Sequence, residues 1–122
     1  MSRLISLDYR SRVPIYDQIV NGIIKLKTMG VLNPDDKLPS VRQLAGELRV
    51  NPNTVQKAYA MLEADGIIYS VSGKGSFISG DSDATATLIK AAKDDFIKAV
   101  LAAADRGITR DELVKLVEEN LK

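Results

Sequence analysis

The sequence predicts a mainly α-helical chain with one small β-hairpin, in which two short consecutive helices run into the hairpin and two further helices follow it. Three observations carry this. Two helix-start signals, Ser40-Val-Arg-Gln and Asn51-Pro52, stand close together in the chain. Gly66 opens an apolar run that leads into a turn with a glycine on either side of Lys74. From about Ala84 the chain is rich in Ala, Leu, Ile and Lys, all compatible with long helix.

Taken in order, residues 4–8 suit a short strand or an extended arm, and Arg10 to Arg12 a polar link. Pro14 sits where a first helical position tolerates proline. Ile15, Ile19, Gly22, Ile23 and Leu26 then recur at helical spacing, and Gly30 ends the run. Val20 and Ile24 fall on nearly the opposite face, so this helix is expected to be apolar on two sides. Asn33-Pro-Asp-Asp is turn chemistry, and Leu38-Pro39 leads in extended form to Ser40. Ser40 and Gln43 make a capping box, followed by Val41, Leu44, Ala45 and Leu48 as the stripe of a helix of about nine residues. Arg49-Val50 is the break.

Asn51 caps a third helix with Pro52 at its first position; Val55, Ala58, Tyr59 and Leu62 face the core, and Gly66 stops it. Residues 67–71 read as a strand, 72–75 as a glycine-bearing hairpin turn, and 76–79 as the returning strand. After a polar joint, a long helix is expected from about Ala84 to Arg106, ended by Gly107. A second capping box at Thr109 opens a last helix with Leu113, Leu116, Val117 and Leu121 on one side.

The 122 residues leave room for one compact domain and a small appendage, divided here as residues 1–80 and 81–122. The first part carries ten Lys and Arg against seven Asp and Glu, the second seven against nine. A mildly basic front half suits a nucleic-acid-contacting unit but does not by itself demonstrate one. With no cysteine and no histidine there is no disulfide, no thiolate metal site and no imidazole base, so neither a metal nor another cofactor is expected. No phosphate-cradling GxxxxGK[ST] loop is present either, and an enzyme is not expected. The first residues lack the apolar core of a signal peptide, and no long apolar run could span a bilayer. A cytoplasmic protein without a membrane partner is therefore expected.

Two short helices joined by a tight turn and followed by a hairpin make a winged helix-turn-helix, whose second helix keeps one face in the core and offers the other to a major groove about 12 Å wide. Counted at about 100° per residue from Val55, Asn53, Lys57 and Ala60 point away from the core, flanked by Thr54 and Gln56. Amides such as Asn53 and Gln56 can pair with adenine, Lys57 can meet guanine or phosphate, and Thr54 either. The amides of the first turn after Asn51 also suit a phosphate. Arg42 faces outward near the start of the preceding helix. Lys74, between Gly73 and Gly75 at the hairpin tip, is placed to touch phosphate or a minor groove.

Leu38-Pro-Ser-Val-Arg-Gln-Leu-Ala, Val50-Asn-Pro-Asn-Thr-Val-Gln-Lys-Ala-Tyr, Leu62-Glu-Ala-Asp-Gly-Ile-Ile and Gly73-Lys-Gly-Ser-Phe-Ile, in this order, resemble the DNA-binding domain of GntR-family transcription regulators. Leu7-Asp8 and Pro14-Ile-Tyr-Asp-Gln-Ile extend the resemblance to about residues 5–80. It implies DNA-contacting roles for Arg42, Asn53, Thr54 and Lys74. Pro52 and Gln56 replace residues that are basic in many members, so base preference does not carry over. The 42 residues after Gly80 are too few for a large ligand-binding domain and are similar to the YtrA-like subfamily, whose short helical C-terminal element dimerises. The resemblance thus implies a homodimeric regulator partnered by double-stranded operator DNA, in a subfamily whose members often control transporter operons. A small dimer across an operator can block polymerase, which favours a repressor. Leu88, Ala92, Phe96, Val100 and Leu101 would pack against a second subunit. The operator, the regulated genes, any small-molecule effector and the choice between activation and repression are left open.

Plainer readings stand beside these. Arg42 can be a solvated cation, Asn53 and Thr54 ordinary first-turn residues, Gln56 and Lys57 an exposed helix face, and Lys74 ordinary turn polarity. The long C-terminal helix can fold back on its own domain. The competing function is a winged-helix protein-interaction module without DNA binding, against which a basic wing and an outward polar face count.

Overall fold

A computed structural model describes residues 4–121. Residues 1–3 and Lys122, which the sequence reading included in its two domains, lie outside the described residues. The elements run α1 (Ile15–Thr28), α2 (Val41–Leu48), α3 (Pro52–Ala64), β1 (Ile68–Val71), β2 (Gly75–Ile78), α4 (Ser82–Asp105) and α5 (Arg110–Asn120). Two compact units result, Met1–Thr85 and Ala86–Lys122. The expected fold class, mainly α with one hairpin, is the observed one.

In the first unit α1, α2 and α3 enclose a core in which Ile19, Ile23, Leu44, Leu48, Val55, Leu62, Ile67 and Ile78 are fully buried. On α1 the buried residues Ile19, Val20 and Ile23 span an arc of about 100°. Ile15 and Ile24, on opposite flanks, are half-buried. Pro14 caps this helix from outside, one position earlier than expected. Residues 4–8 form no strand. Ile5 is instead buried on α1, where Gly22 makes room: a Cβ there would stand 3.0 Å from Ile5 Cγ2.

Local rules set the helix ends. Ser40 Oγ accepts the Gln43 N–H at 3.1 Å, and Thr109 Oγ1 accepts that of Glu112 at 3.3 Å. Each such cap contributes about 1 kcal/mol. α2 closes at Arg49 in the left-handed region, φ +57°, a conformation that usually falls to glycine. Asp81 Oδ1 accepts from Asp83 and Ala84 N–H, so α4 starts at Ser82, ahead of the expected Ala84.

β1 and β2 pair antiparallel from Ile68↔Ile78 to Val71↔Gly75. The segment read from sequence as turn and lead-in adds to the outer edge of β2. Lys37 bridges to Phe77, Leu38 N–H donates to Ser76 O at 2.9 Å, Ile78 N–H to Asp36 O at 2.9 Å, and Asp35 N–H to Ile78 O at 2.8 Å. This pairing satisfies an edge that would otherwise stand open.

Tyr59 on α3 is 4% exposed, and its hydroxyl donates to Pro39 O at 2.8 Å, tying α3 to the segment that starts α2. Burial first, then the Glu47 carboxylate, raises its pKa above the usual phenol range. The unfolded chain ionises this group near pH 10. Its stabilising contribution is therefore complete below about pH 10 and is lost as pH rises beyond it. Tyr59→Phe is expected to cost about 0.5–1.5 kcal/mol at neutral pH and to flatten the alkaline fall of the thermal midpoint. Melting curves on both sides of pH 10 check this, and an equally steep fall in the variant would contradict it.

Candidate nucleic-acid interface

α3 divides cleanly between two environments. Val55, Ala58, Tyr59 and Leu62 are buried, while Asn53, Gln56, Lys57 and Ala60 are exposed and Thr54 is half-buried. The pattern follows from apolar residues spaced three and four apart, which anchor one side and leave a shallow polar strip on the other. Arg42 is exposed on the first turn of α2.

The start of α3 corrects one expectation. Its first amides are not free for a phosphate. Pro52 has no N–H, Asn53 N–H donates to Asn51 Oδ1 at 2.8 Å, and Thr54 N–H donates to Asn51 O at 2.9 Å. The Val55 N–H, at 3.4 Å, also reaches Asn51 O. Asn51 caps the helix completely enough that its side chains, and not its backbone, are what α3 presents.

Lys57 is exposed, but its ammonium lies 3.8 Å from the centroid of the Tyr16 ring on α1. A contact of this kind is worth about 0.5–1 kcal/mol at an exposed site. It holds the cation toward the α1 flank of the strip, which the helical count could not show.

At the wing tip Lys74 N–H donates to Val71 O at 2.9 Å, closing a turn whose third residue, Gly73, has φ +75°. That position favours glycine, as in a type II turn. Gly75 has φ +117°, and a Cβ on it would stand 3.3 Å from Lys37 Cε. Lys37, whose backbone bridges to Phe77, therefore reaches Gly75 with its side chain, a second cation on the wing that sequence spacing missed. Below the tip, Tyr69 and Phe77 stack at 5.5 Å. The Tyr69 hydroxyl donates to Asp35 Oδ1 at 2.6 Å, a bond that raises its pKa.

The ion pairs found are Lys90–Asp94 and Lys115–Glu119, both in the second unit. Among the described residues Lys37, Arg42, Lys57 and Lys74 have no carboxylate within ion-pair distance. No carboxylate neutralises them, and apart from the contact of Lys57 with the Tyr16 ring their charge is available to phosphate.

In the second unit neither α4 nor α5 has a buried residue. Phe96 and Val100 line an apolar cleft of about 670 Å³ together with Leu113, Val114, Val117 and Leu121 of the following segment. Phe96 is 56% exposed and Leu101 59%. Leu88 and Val100 are half-buried, and Ala92 is exposed. Of the five residues singled out on this helix, Phe96 and Val100 line the cleft, and Leu88, Ala92 and Leu101 do not. The apolar side of α5, read from sequence as a plain stripe, does.

No described helix is long and apolar enough to cross a membrane. The pattern of the family described as bacterial regulatory proteins, gntR family, matches residues 13–78. The HTH-type transcriptional repressor YtrA of Bacillus subtilis is 38% identical over 120 residues, covering 95% of this chain and 91% of its own. A GntR family transcriptional regulator from Listeria monocytogenes superposes with a TM-score of 0.74 at 34% identity, covering 93% of this chain and 98% of its own. The DNA-binding domain of AraR, solved in complex with operator ORE1, superposes at 0.53 with 31% identity, over 62% of this chain and 92% of its own. Such relatives are regulators and not enzymes. This chain belongs to the GntR family of bacterial transcription regulators, and within it is similar to the YtrA-like members.

Proposed function

We propose that this DNA-binding regulator reads operator DNA as a homodimer, with α3 in the major groove and the hairpin as a wing on the flanking backbone. The observation that carries the reading is the exposed polar strip of α3, anchored by a fully buried opposite face. Asn53, Thr54 and Gln56 supply hydrogen-bonding groups for base edges, and Arg42 meets a base edge or the backbone beside them. Lys57, held over Tyr16, neutralises phosphate at the edge of the groove. Lys74 does the same from the wing tip, where Gly73 and Gly75 keep the turn narrow.

The apolar cleft and exposed side chains of the second unit support dimerisation, because a two-helix element with no buried residue cannot stabilise itself. Leu88, Ala92, Phe96, Val100 and Leu101 belong to that proposed surface. A dimer seated across an operator blocks polymerase without added machinery, which favours repression, and the YtrA-like resemblance extends this to a transporter operon. The work is done in the cytoplasm, where the operator is.

A gel-shift with the duplex upstream of the protein's own gene tests the reading. Salt-sensitive, sequence-selective binding is expected, with Arg42→Ala and Asn53→Ala each weakening it by about 1–3 kcal/mol, roughly 5- to 150-fold. Binding that is indifferent to salt, or that survives both substitutions, overturns it.

A further inference from the structure

The segment from Asp8 to Val13 is neither helix nor strand, yet it is tied down at both ends. Gln18 of α1 accepts the Asp8 N–H at 2.8 Å through Oε1, and its Nε2 donates to the carbonyls of Asp8 and Val13, both at 2.9 Å. Inside the loop, Arg10 N–H donates to Asp8 Oδ1 at 3.0 Å, Ser11 N–H to Asp8 O at 3.3 Å, and Val13 N–H to Ser11 Oγ at 3.1 Å. From its middle, the Tyr9 hydroxyl donates to the carbonyl of Leu48, the last residue of α2. Leu48 precedes the Arg49-Val50 turn that delivers Asn51 and α3. The loop is thus tied to the end of α2, where the chain turns toward the helix assigned to the groove.

Ordering such a loop costs about 1–2 kcal/mol per residue in backbone entropy, and its own side chains recover little of this by burial, since residues 8–13 are all exposed. What the ordering achieves is placement of Arg10 and Arg12. Neither has an ion-pair partner among the described residues, and the one carboxylate within the loop, Asp8, is occupied by the backbone of Arg10. Arg49, exposed at the adjoining turn, adds a third cation to this side. Planar guanidiniums in a pre-ordered loop suit phosphate, whereas base edges are left to α3.

We propose that loop 8–13 is a second phosphate-binding element, in which Arg10 and Arg12 neutralise duplex backbone beside the α3 groove and Tyr9 is the positioning residue that fixes the loop against the helix-turn. This rests on the assignment of α3 to DNA.

The test needs no knowledge of the operator: affinity for a random-sequence duplex is measured against salt concentration, for the full chain and for the double variant R10Q/R12Q. Two lost phosphate contacts lower the slope of log K against log salt by about 1.8, and weaken binding at 0.1 M salt by up to ~60-fold. Tyr9→Phe is expected to weaken binding several-fold in the unaltered chain and to have no further effect in the R10Q/R12Q background, a non-additivity that a merely structural Tyr9 would not produce. If the unaltered chain shows no salt-dependent duplex binding, the DNA assignment itself fails. If it binds and R10Q/R12Q keeps the same slope, the loop proposal alone is overturned. Equal loss from Tyr9→Phe in both backgrounds removes the positioning role.

Discussion

Phe96→Glu is expected to convert the proposed homodimer into a monomer and to weaken operator binding by about 10²-fold or more. Phe96 is 56% exposed on α4 and borders an apolar cleft that runs along α5. Around it Leu116, Val117 and Leu121 are exposed as well, a density of apolar surface that a 37-residue unit does not leave open without cause. A carboxylate at the centre of such a contact must be desolvated with no partner, which costs more than the contact returns. The DNA effect follows from linkage. In the proposed dimer, two associated α3 helices would bind two half-sites with an effective concentration that multiplies affinity by about 10²–10⁴, and a monomer would lose that factor. Light scattering gives the mass directly: about 13.3 kDa for the variant chain against twice that for the unaltered protein. A variant that remains a dimer contradicts the assignment of this surface.

Leu62→Ala is expected to cost about 2–5 kcal/mol, a large part of the 5–15 kcal/mol that holds an ordinary domain together. Leu62 is fully buried on the inner face of α3, and its carbonyl accepts the Ile67 N–H at 2.9 Å, where the helix gives way to the hairpin. Removing the side chain leaves a cavity beneath the helix that carries Asn53 and Gln56, although neither residue is touched. The urea midpoint should fall accordingly. DNA affinity should be lost in step with the folded fraction, and not before it. A loss of less than about 1 kcal/mol would mean that α3 is held in some other way.

What could be read in the sequence was what local chemistry decides. Ser40 and Asn51 cap where a side-chain oxygen meets a free N–H two or three residues on, and Gly66 stops α3 because it adopts φ +76°. The exposed strip of α3 followed from helical counting alone. Contacts between distant segments were not legible. Asp35–Leu38 pairs with β2 some forty residues later, an arrangement that turn-forming residues such as Asn33-Pro34 do not announce. For the same reason Lys37 beside Gly75, Lys57 over Tyr16 and Tyr9 on Leu48 went unseen. The place of the α3 amides in the helix suggests phosphate binding, but Asn51 occupies them, a local detail that overrides the general tendency of helix N-termini.

In the proposed complex two copies of α3 enter successive major grooves. Hydroxyl-radical footprinting on the duplex upstream of the protein's own gene tests it most directly. Two protected, symmetry-related half-sites centred about 10 bp or a multiple of it apart are expected, lost together in Asn53→Ala. A single unpaired protected patch, or a footprint that Asn53→Ala leaves unchanged, would contradict it.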